Sequence, residues 1–320
     1  MSAANRGLAM GPNVQQFWGW SHAIWFTLMG AGGGVFILAH ALRLTDHLGS
    51  WLGLPLVDVM SFVLIGIGGI VLIAHLGRPK RIFLALLNPR TSWISRGAIA
   101  DFIFLIAGTA LVLPRLRLGE WLPFSWLQVE NRSALLTIEA LALLSAGVVI
   151  FYAGQVLAVC KSIPYWHSPL IPVQFVASSL AISMSIVMLL EVASGGRVGG
   201  LELALLCAFV LAQAACIGAH MATHRQEPAK AHSVSMLVRG RYKWLFLGGV
   251  LGSGSVAPLV LALAGLGSDE LRQVLGPLTL APCLIAGLML RLLTLRVGVF
   301  AMPSVLVPLR GRRVGGAAKT

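Results

Sequence analysis

Charged side chains are scarce in this 320-residue chain: Lys, Arg, Asp and Glu make up 11% of it, against about 25% in ordinary soluble domains. Apolar residues make up 57%, and the mean hydropathy is +0.86. This composition excludes a soluble globular enzyme, and the high hydrophobicity excludes a disordered chain. The class that remains is a polytopic membrane protein.

Cysteine is scarce as well, with four residues that share no CxxC or CxxxC spacing: Cys160, Cys207, Cys216 and Cys283. The usual iron–sulfur motifs are therefore absent, a disulfide framework is not expected, and we expect no metal site in this chain. Acidic residues are outnumbered by basic ones, 11 to 24. In so hydrophobic a chain a basic excess indicates membrane orientation, so no nucleic-acid partner is expected.

Long apolar runs are what the sequence has in abundance. A helix needs about 20 apolar residues to cross the hydrocarbon core. Eight such runs occur, at 17–44, 54–75, 94–113, 134–159, 170–193, 201–221, 244–267 and 273–295. Their connections are short, so residues 1–320 are predicted to form a single integral membrane domain, an all-α bundle of eight transmembrane helices.

The basic residues are distributed unevenly across this topology. Eight spans place both termini on one side of the membrane, here named the near face, and the opposite side is the far face. Of the 24 Lys and Arg residues, 18 fall on the near face. Because positive residues mark the cytoplasmic side, we expect a multi-pass protein of a bacterial inner membrane with cytoplasmic termini.

Polar side chains inside the spans concentrate towards the near face. They are His22, His75, Asp101, Tyr152, Gln155, Gln174 and His220. Ionisable groups inside a membrane are costly and indicate function. His and Tyr both donate and accept hydrogen bonds, as the oxygens of a quinone and its quinol require, so a quinone pocket is one interpretation. Others remain open: His75 and His220 can simply meet water at helix ends, and Asp101 can pair with Arg96.

Two further patterns in the sequence, the far-half ionisable groups and a run of small residues, lead to structural predictions. The far-half groups His40, Asp58, Glu139, Glu191 and Glu202 look scattered, which predicts isolated carboxylates and no complete proton path across the membrane. A short proton route through Asp101 or His75 to the near face is expected instead. The small-residue run 30–34 predicts close helix packing, with Gly66, Gly68 and Gly69 as its counterpart.

Residues 71–97 carry the most specific motif. VLIAHLGRPKR at 71–81, followed by LLNPRTSWISRG at 86–97, resembles the segment between the second and third helices of the NrfD/PsrC family. These proteins are membrane subunits of polysulfide-reductase-type complexes. The stretches around 18–34 and 152–166 also fit the family, and the helix count extends the resemblance over almost the whole chain.

The resemblance implies two four-helix bundles and a haem-free anchor that binds menaquinone or ubiquinone and holds no catalytic residue itself. Such anchors exchange electrons with a four-cluster iron–sulfur subunit, which serves a molybdenum bis-guanine-dinucleotide catalytic subunit. Carried over by position, the quinone contacts fall to His22, with Ser21 beside it, and to Tyr152. The family's first-helix Asn is not evident here.

The residues add to what the resemblance implies. By depth, Gln155, Asp101 and His75 join the predicted quinone site. The basic segment between the second and third spans is predicted to dock the iron–sulfur subunit through Arg78, Lys80, Arg81, Arg90 and Arg96. The basic near face places the partner subunits in the cytoplasm, as in the sulfite-oxidising anchors of this family.

Two other classes remain open from the sequence. A haem b anchor needs pairs of axial histidines at equal depth. His22, His75 and His220 can supply one such pair, whereas His40 stands alone on the far half. A reduced-minus-oxidised visible spectrum distinguishes it. A secondary transporter is expected to show internal repeats and helices broken near the midplane, and no convincing repeat is evident.

Overall fold

The computed structural model of the protein describes residues 14–75, 84, 86–116, 131–223 and 227–301. Within them, eight helical stretches are long and apolar enough to span a membrane. They are Trp20–Ala41, Leu56–Ala74, Trp93–Arg115, Arg132–Ala158, Leu170–Ala193, Gly200–Ala222, Leu245–Gly265 and Asp269–Arg296. The predicted all-α membrane fold is confirmed, with every span within a few residues of its predicted position.

The first four spans form one bundle. Its helices are α1 (Trp20–Ala41), α2 (Leu56–Ala74), α3 (Trp93–Val112) and α4 (Arg132–Ala158). Helix α1 packs on α2 and α4, and α3 packs on α4. The turn between α1 and α2 carries two short antiparallel strands, β1 (Ser50–Trp51) and β2 (Leu54–Pro55), with Ser50 opposite Pro55.

The second bundle is less regular than the sequence predicts. Its helices are α5 (Leu170–Ala193), α6 (Gly200–Ala222), α7 (Pro228–Val238), α8 (Ala257–Gly265), α9 (Asp269–Leu278) and α10 (Leu280–Arg296). Helix α7 lies in a predicted connection. The seventh span begins as a glycine-rich π-helix, Leu245–Val256, before continuing into α8. The eighth span breaks at Thr279, after Pro277, whose ring lacks the N–H that a continuous helix needs.

Helices α1 and α5 lie where the two bundles meet. In each of them 78% of an 18-residue apolar stretch is buried, against 28% in α2, α4 and α6. They pack on each other, and α10 packs on both. The two-bundle arrangement implied by the family resemblance is therefore present, with α1, α4, α5 and α10 forming the seam.

The small residues of α1 allow three helices to approach it at one level. A side chain at Gly34 would meet Ser183 of α5, one at Gly32 would meet the Ser61 carbonyl of α2, and one at Gly33 would meet Ile150 of α4. Hydrogen bonds tie these contacts, since the Ser61 hydroxyl donates to the Gly32 carbonyl at 2.7 Å and that of Ser183 to Ala31 at 2.9 Å. The predicted close packing is confirmed.

The predicted counterpart in α2 is only partly correct. Gly68 packs against Met29 of α1, but Gly66 and Gly69 have no atom within 4 Å of where a side chain would begin. The main partner of the α1 glycines in α2 is instead the Ser61–Ile65 turn.

One basic residue assigned to the near face belongs to the interior. Arg291 of α10 is 1% exposed. Its guanidinium donates to the Ser179 hydroxyl at 2.7 Å, to the Gly287 carbonyl at 3.0 Å and to the Phe175 carbonyl at 3.2 Å. A charge buried in a membrane bundle is expected to face other helices and find polar partners, and Arg291 does so at the seam.

A glycine substitution tests the role of α1. Replacing Gly32 by Ala puts a methyl group 2.8 Å from the Ser61 backbone oxygen, which no side-chain rotation relieves. Overpacking of this kind costs about 1–3 kcal/mol, so the unfolding temperature in detergent should fall. Gly147→Ala is the matched control, because its methyl group meets nothing within 4 Å. Equal unfolding temperatures for both variants would contradict the packing argument.

Candidate functional site

A cavity of about 160 Å³ lies in the near half of the first bundle. Its lining is mostly apolar and aromatic and comes from Trp25, Met29, Gly69, Leu72, Ile73, Leu86, Ile94, Ala98, Asp101, Phe102 and Tyr152. Asp101 and Tyr152 are the ionisable members, one from α3 and one from α4. The structure thus brings together two of the residues that the sequence predicts for a near-face pocket.

Tyr152 is held in place by two features of the sequence. Gly97 of α3 leaves room for the phenol ring, which would collide with a side chain there. On the other side the ring faces Trp25, with centroids 6.2 Å apart. The buried Tyr152 hydroxyl lies beside the Asp101 carboxyl and interacts with it electrostatically. Asp101 is therefore paired with Tyr152 and not with Arg96, the alternative that the sequence left open.

Two atoms of cavity-lining side chains remain without partners. The Trp25 indole N–H and the Asp101 Oδ1 atom are buried and form no hydrogen bond among the described residues. Buried polar groups normally find partners, so an orphaned donor and an orphaned acceptor around one cavity indicate a ligand that offers both an acceptor and a donor. Trp25 was not predicted from the sequence, where a tryptophan in an apolar run carries no distinguishing signal.

His22 lies outside the cavity lining. Its ring stacks on Trp18, with centroids 5.0 Å apart and planes within 9°, and meets Trp25 edge-on at 6.3 Å. Trp25 therefore stands between His22 and Tyr152. Beside them, the Ser21 hydroxyl and His75 Nε2 are hydrogen-bonded at 2.5 Å. Ser21, His22 and His75 thus form a polar group at the near-face end of α1 and α2, behind the tryptophan.

The remaining predicted near-face groups are dispersed. Gln155 is half-buried, one turn nearer the end of α4 than Tyr152, and does not line the cavity. Gln174 is buried in α5. His220 is buried in α6 of the second bundle, where its ring packs edge-on against Tyr165 at 4.8 Å. Depth along the helices therefore does not bring these residues together, because the helices face in different directions.

A basic residue lies close to His220. Lys230 of α7 donates to the Thr223 hydroxyl at 2.6 Å. Burial lowers the pKa of the Lys230 ammonium, and burial raises the pKa of the Tyr165 hydroxyl. This second-bundle cluster is separate from the cavity at Tyr152.

Of the five predicted docking residues, two are described. Arg90 is exposed, whereas Arg96 is engaged within the chain: its guanidinium donates to the carbonyls of Pro89 and Arg90 at 2.8 and 2.9 Å and lies 4.4 Å from the Trp93 ring. Arg96 thereby fixes the turn that leads into α3. Arg78, Lys80 and Arg81 lie outside the described residues.

A second, larger cavity of about 640 Å³ opens at the far end of the first bundle. At its wall, His40 of α1 lies between two carboxylates, with Nε2 3.1 Å from Asp58 and Nδ1 3.3 Å from Glu139. The expectation of isolated carboxylates is therefore wrong for Asp58 and Glu139. A neutral imidazole has only one N–H, so the three groups together hold at least one further proton when both contacts are hydrogen bonds.

The architecture defines the class: an eight-span membrane protein with a small aromatic cavity in its near half. Residues 9–302 match the family model described as polysulphide reductase, NrfD. Since this match covers nearly the whole chain, the protein belongs to the NrfD family, and it is a membrane subunit of a redox complex. No curated protein matches the chain significantly.

The far-face cluster generates a stability prediction. Asp58 is 1% exposed, so His40→Ala leaves a buried carboxylate without its imidazole. An unsatisfied buried group costs about 1–3 kcal/mol, and the unfolding temperature should fall accordingly. His47→Ala, at an exposed far-face position, is the control. Adding Asp58→Asn to His40→Ala should restore part of the loss; no recovery would mean that the imidazole acts only by filling space.

Proposed function

We propose that this protein is the haem-free quinone- or quinol-binding anchor of its redox complex. The observation that carries the proposal is the near-half cavity, where the Asp101–Tyr152 pair and the free Trp25 N–H share an otherwise apolar pocket. A quinone ring needs an apolar slot, a donor for its carbonyl oxygen and an acceptor for the hydroxyl of its quinol. Tyr152 and Asp101 provide both, and Trp25 adds a second donor.

The residues also fit the proton exchange that accompanies quinone chemistry. Each quinone that becomes a quinol takes up two electrons and two protons, and the reverse reaction releases them. The Asp101 carboxyl lies beside Tyr152 and has one oxygen without a partner among the described residues, so it can hold a proton at the cavity wall. Menaquinone and ubiquinone both meet these requirements.

His22, Ser21 and His75 are proposed to support the site from behind Trp25. The stacking of His22 on Trp18 and its edge contact with Trp25 fix the indole that lines the cavity. The Ser21–His75 hydrogen bond joins α1 to the end of α2 at the same level. These three residues therefore act on the ring pocket indirectly.

The partners we propose are an iron–sulfur subunit with four clusters and, beyond it, a molybdenum bis-guanine-dinucleotide catalytic subunit. We propose that both lie on the near face and that this face is cytoplasmic. The proposal is supported by hydrogen bonds at that face that hold distant segments of the chain together. Gln15 donates to the Leu295 carbonyl at 2.6 Å, Trp166 to Thr294 at 2.7 Å, and the Ala301 amide to Ser162 at 2.9 Å. Segments from both ends of the described chain are thus held together.

Quinone binding is tested by variants of the cavity pair. In the whole complex, Tyr152→Phe and Asp101→Asn each remove a hydrogen-bonding group from a desolvated site, at a cost of about 1–3 kcal/mol, or roughly tenfold or more in quinone-coupled kcat/KM. Activity of the soluble subunits with a redox dye should persist. His22→Ala should lose less, because Trp25 separates it from the cavity.

Tyr165→Phe is the matched control, since it removes a buried near-face phenol hydroxyl outside the cavity. Its quinone-coupled turnover should stay close to that of the wild type. Unchanged turnover in both Tyr152→Phe and Asp101→Asn would contradict a quinone site in this cavity.

Docking is tested by charge reversal at the near face. Changing Arg78 and Arg81 together to Glu should release the soluble subunits from washed membranes, because the proposed contact becomes repulsive. Arg132→Glu reverses a charge at the far-face start of α4 and should leave the complex intact. Soluble subunits that stay bound to the double variant through a salt wash would argue against this docking surface.

A further inference from the structure

The near-half cavity opens sideways. Three of its lining residues, Ile73 of α2 and Ile94 and Phe102 of α3, are also 43–46% exposed on the outer surface of the bundle. Both helices are apolar spans, so this surface faces lipid. The cavity wall and the lipid-facing surface are therefore continuous between α2 and α3.

The packing of α2 and α3 explains this opening. Each packs mainly on another helix, α2 on α1 and α3 on α4. They meet in the far half, where the Phe62 and Phe104 rings are 5.5 Å apart and Phe62 fits against Gly108. In the near half, no neighbouring atom of the described residues lies within 4 Å of the position where a Gly69 side chain would begin. Among the described residues, the two helices thus form a cleft that is closed at its far end.

The cavity is too small for a whole lipid-soluble quinone. Its volume is about 160 Å³, whereas pockets that enclose complete small ligands have about 300–1,000 Å³. A quinone ring and a long isoprenoid chain cannot both lie within this volume, so the chain must extend out of the cavity. The cleft offers it an apolar path that begins at the cavity wall, with Gly69 and Ile73 on one side and Ile94 and Ala98 on the other.

We propose that the cleft between the near halves of α2 and α3 is the entrance and the tail-binding groove for the isoprenoid chain of the quinone. This inference rests on the proposed quinone function and adds a second subsite to it. The ring enters laterally from the near leaflet and stops at the Asp101–Tyr152 pair, while the chain remains between the two helices. Gly69 keeps the groove open because it carries no side chain.

The test fills the groove and compares two substrates in the whole complex. Gly69→Leu places a side chain in the cleft, and Ala98→Leu does so from the opposite wall. For each variant, kcat/KM is measured with a long-chain isoprenoid quinone in proteoliposomes and with tail-less duroquinone. The ratio of the two values should fall about tenfold, equivalent to about 1.4 kcal/mol.

Gly66→Leu is the matched control. Gly66 lies one turn away on the same helix, also has open space around it and does not line the cavity, so its ratio should equal that of the wild type. An unchanged ratio in Gly69→Leu, or the same fall in Gly66→Leu, would overturn the tail groove while leaving the ring site standing. A wild-type complex that reacts with neither quinone would overturn the proposed function itself, and the groove with it.

Discussion

The four glycines within one and a half turns of α1 are the constraint on which the rest of the structure depends. Helices α2, α4 and α5 all touch α1 between Gly30 and Gly34, where a single methyl group would collide with a backbone or a side chain of a neighbour. In lipid there is little hydrophobic force between helices, so close van der Waals contact and interhelical hydrogen bonds must hold them. The Ser61 and Ser183 hydroxyls donate to α1 carbonyls at this level. The contact therefore fixes both the first bundle and its junction with α5.

Aromatic rings carry this central packing towards the near-face cavity. Tyr152 faces Trp25, Trp25 packs on Phe26 at 4.6 Å, and Phe26 faces Phe175 at 6.4 Å. The Arg291 guanidinium lies 5.0 Å from the Phe175 ring at the other end of this series. The cavity is thus backed by a continuous series of rings that ends at a buried cation held by α5. A rigid wall of this kind keeps the Trp25 indole and the Tyr152 phenol in one orientation.

The sequence predicted where the helices lie along the chain better than the direction in which each helix faces. Hydropathy located all eight spans because lipid requires about 20 apolar residues in each, whereas the π-helix at Leu245–Val256 and the break at Thr279 depend on local packing that hydropathy does not report. Depth along the helices placed Asp101 and Tyr152 together correctly. It also grouped His220 and Gln174 with them, because height carries no information on which way a helix faces. The convergence of Asp58 and Glu139 on His40 escaped prediction for the same reason, whereas Trp25 did so because a tryptophan in an apolar run carries no distinguishing signal.

In the first bundle, groups able to hold a proton lie at both ends: Asp101 in the near half and the His40 cluster at the far end. The packed layer between them bears on which face exchanges protons with the near-half cavity. Phe36, Phe62 and Phe104 pack together there, with ring centroids 5.0 and 5.5 Å apart. The hydroxyls of Ser61 and Ser145 at this level already donate to backbone carbonyls. A proton crossing this layer would have to leave water and displace those bonds, at a desolvation cost. Asp101 lies eight residues from the near-face start of α3, about 12 Å along the helix axis. We therefore propose that the protons of the quinone chemistry are exchanged with the near face.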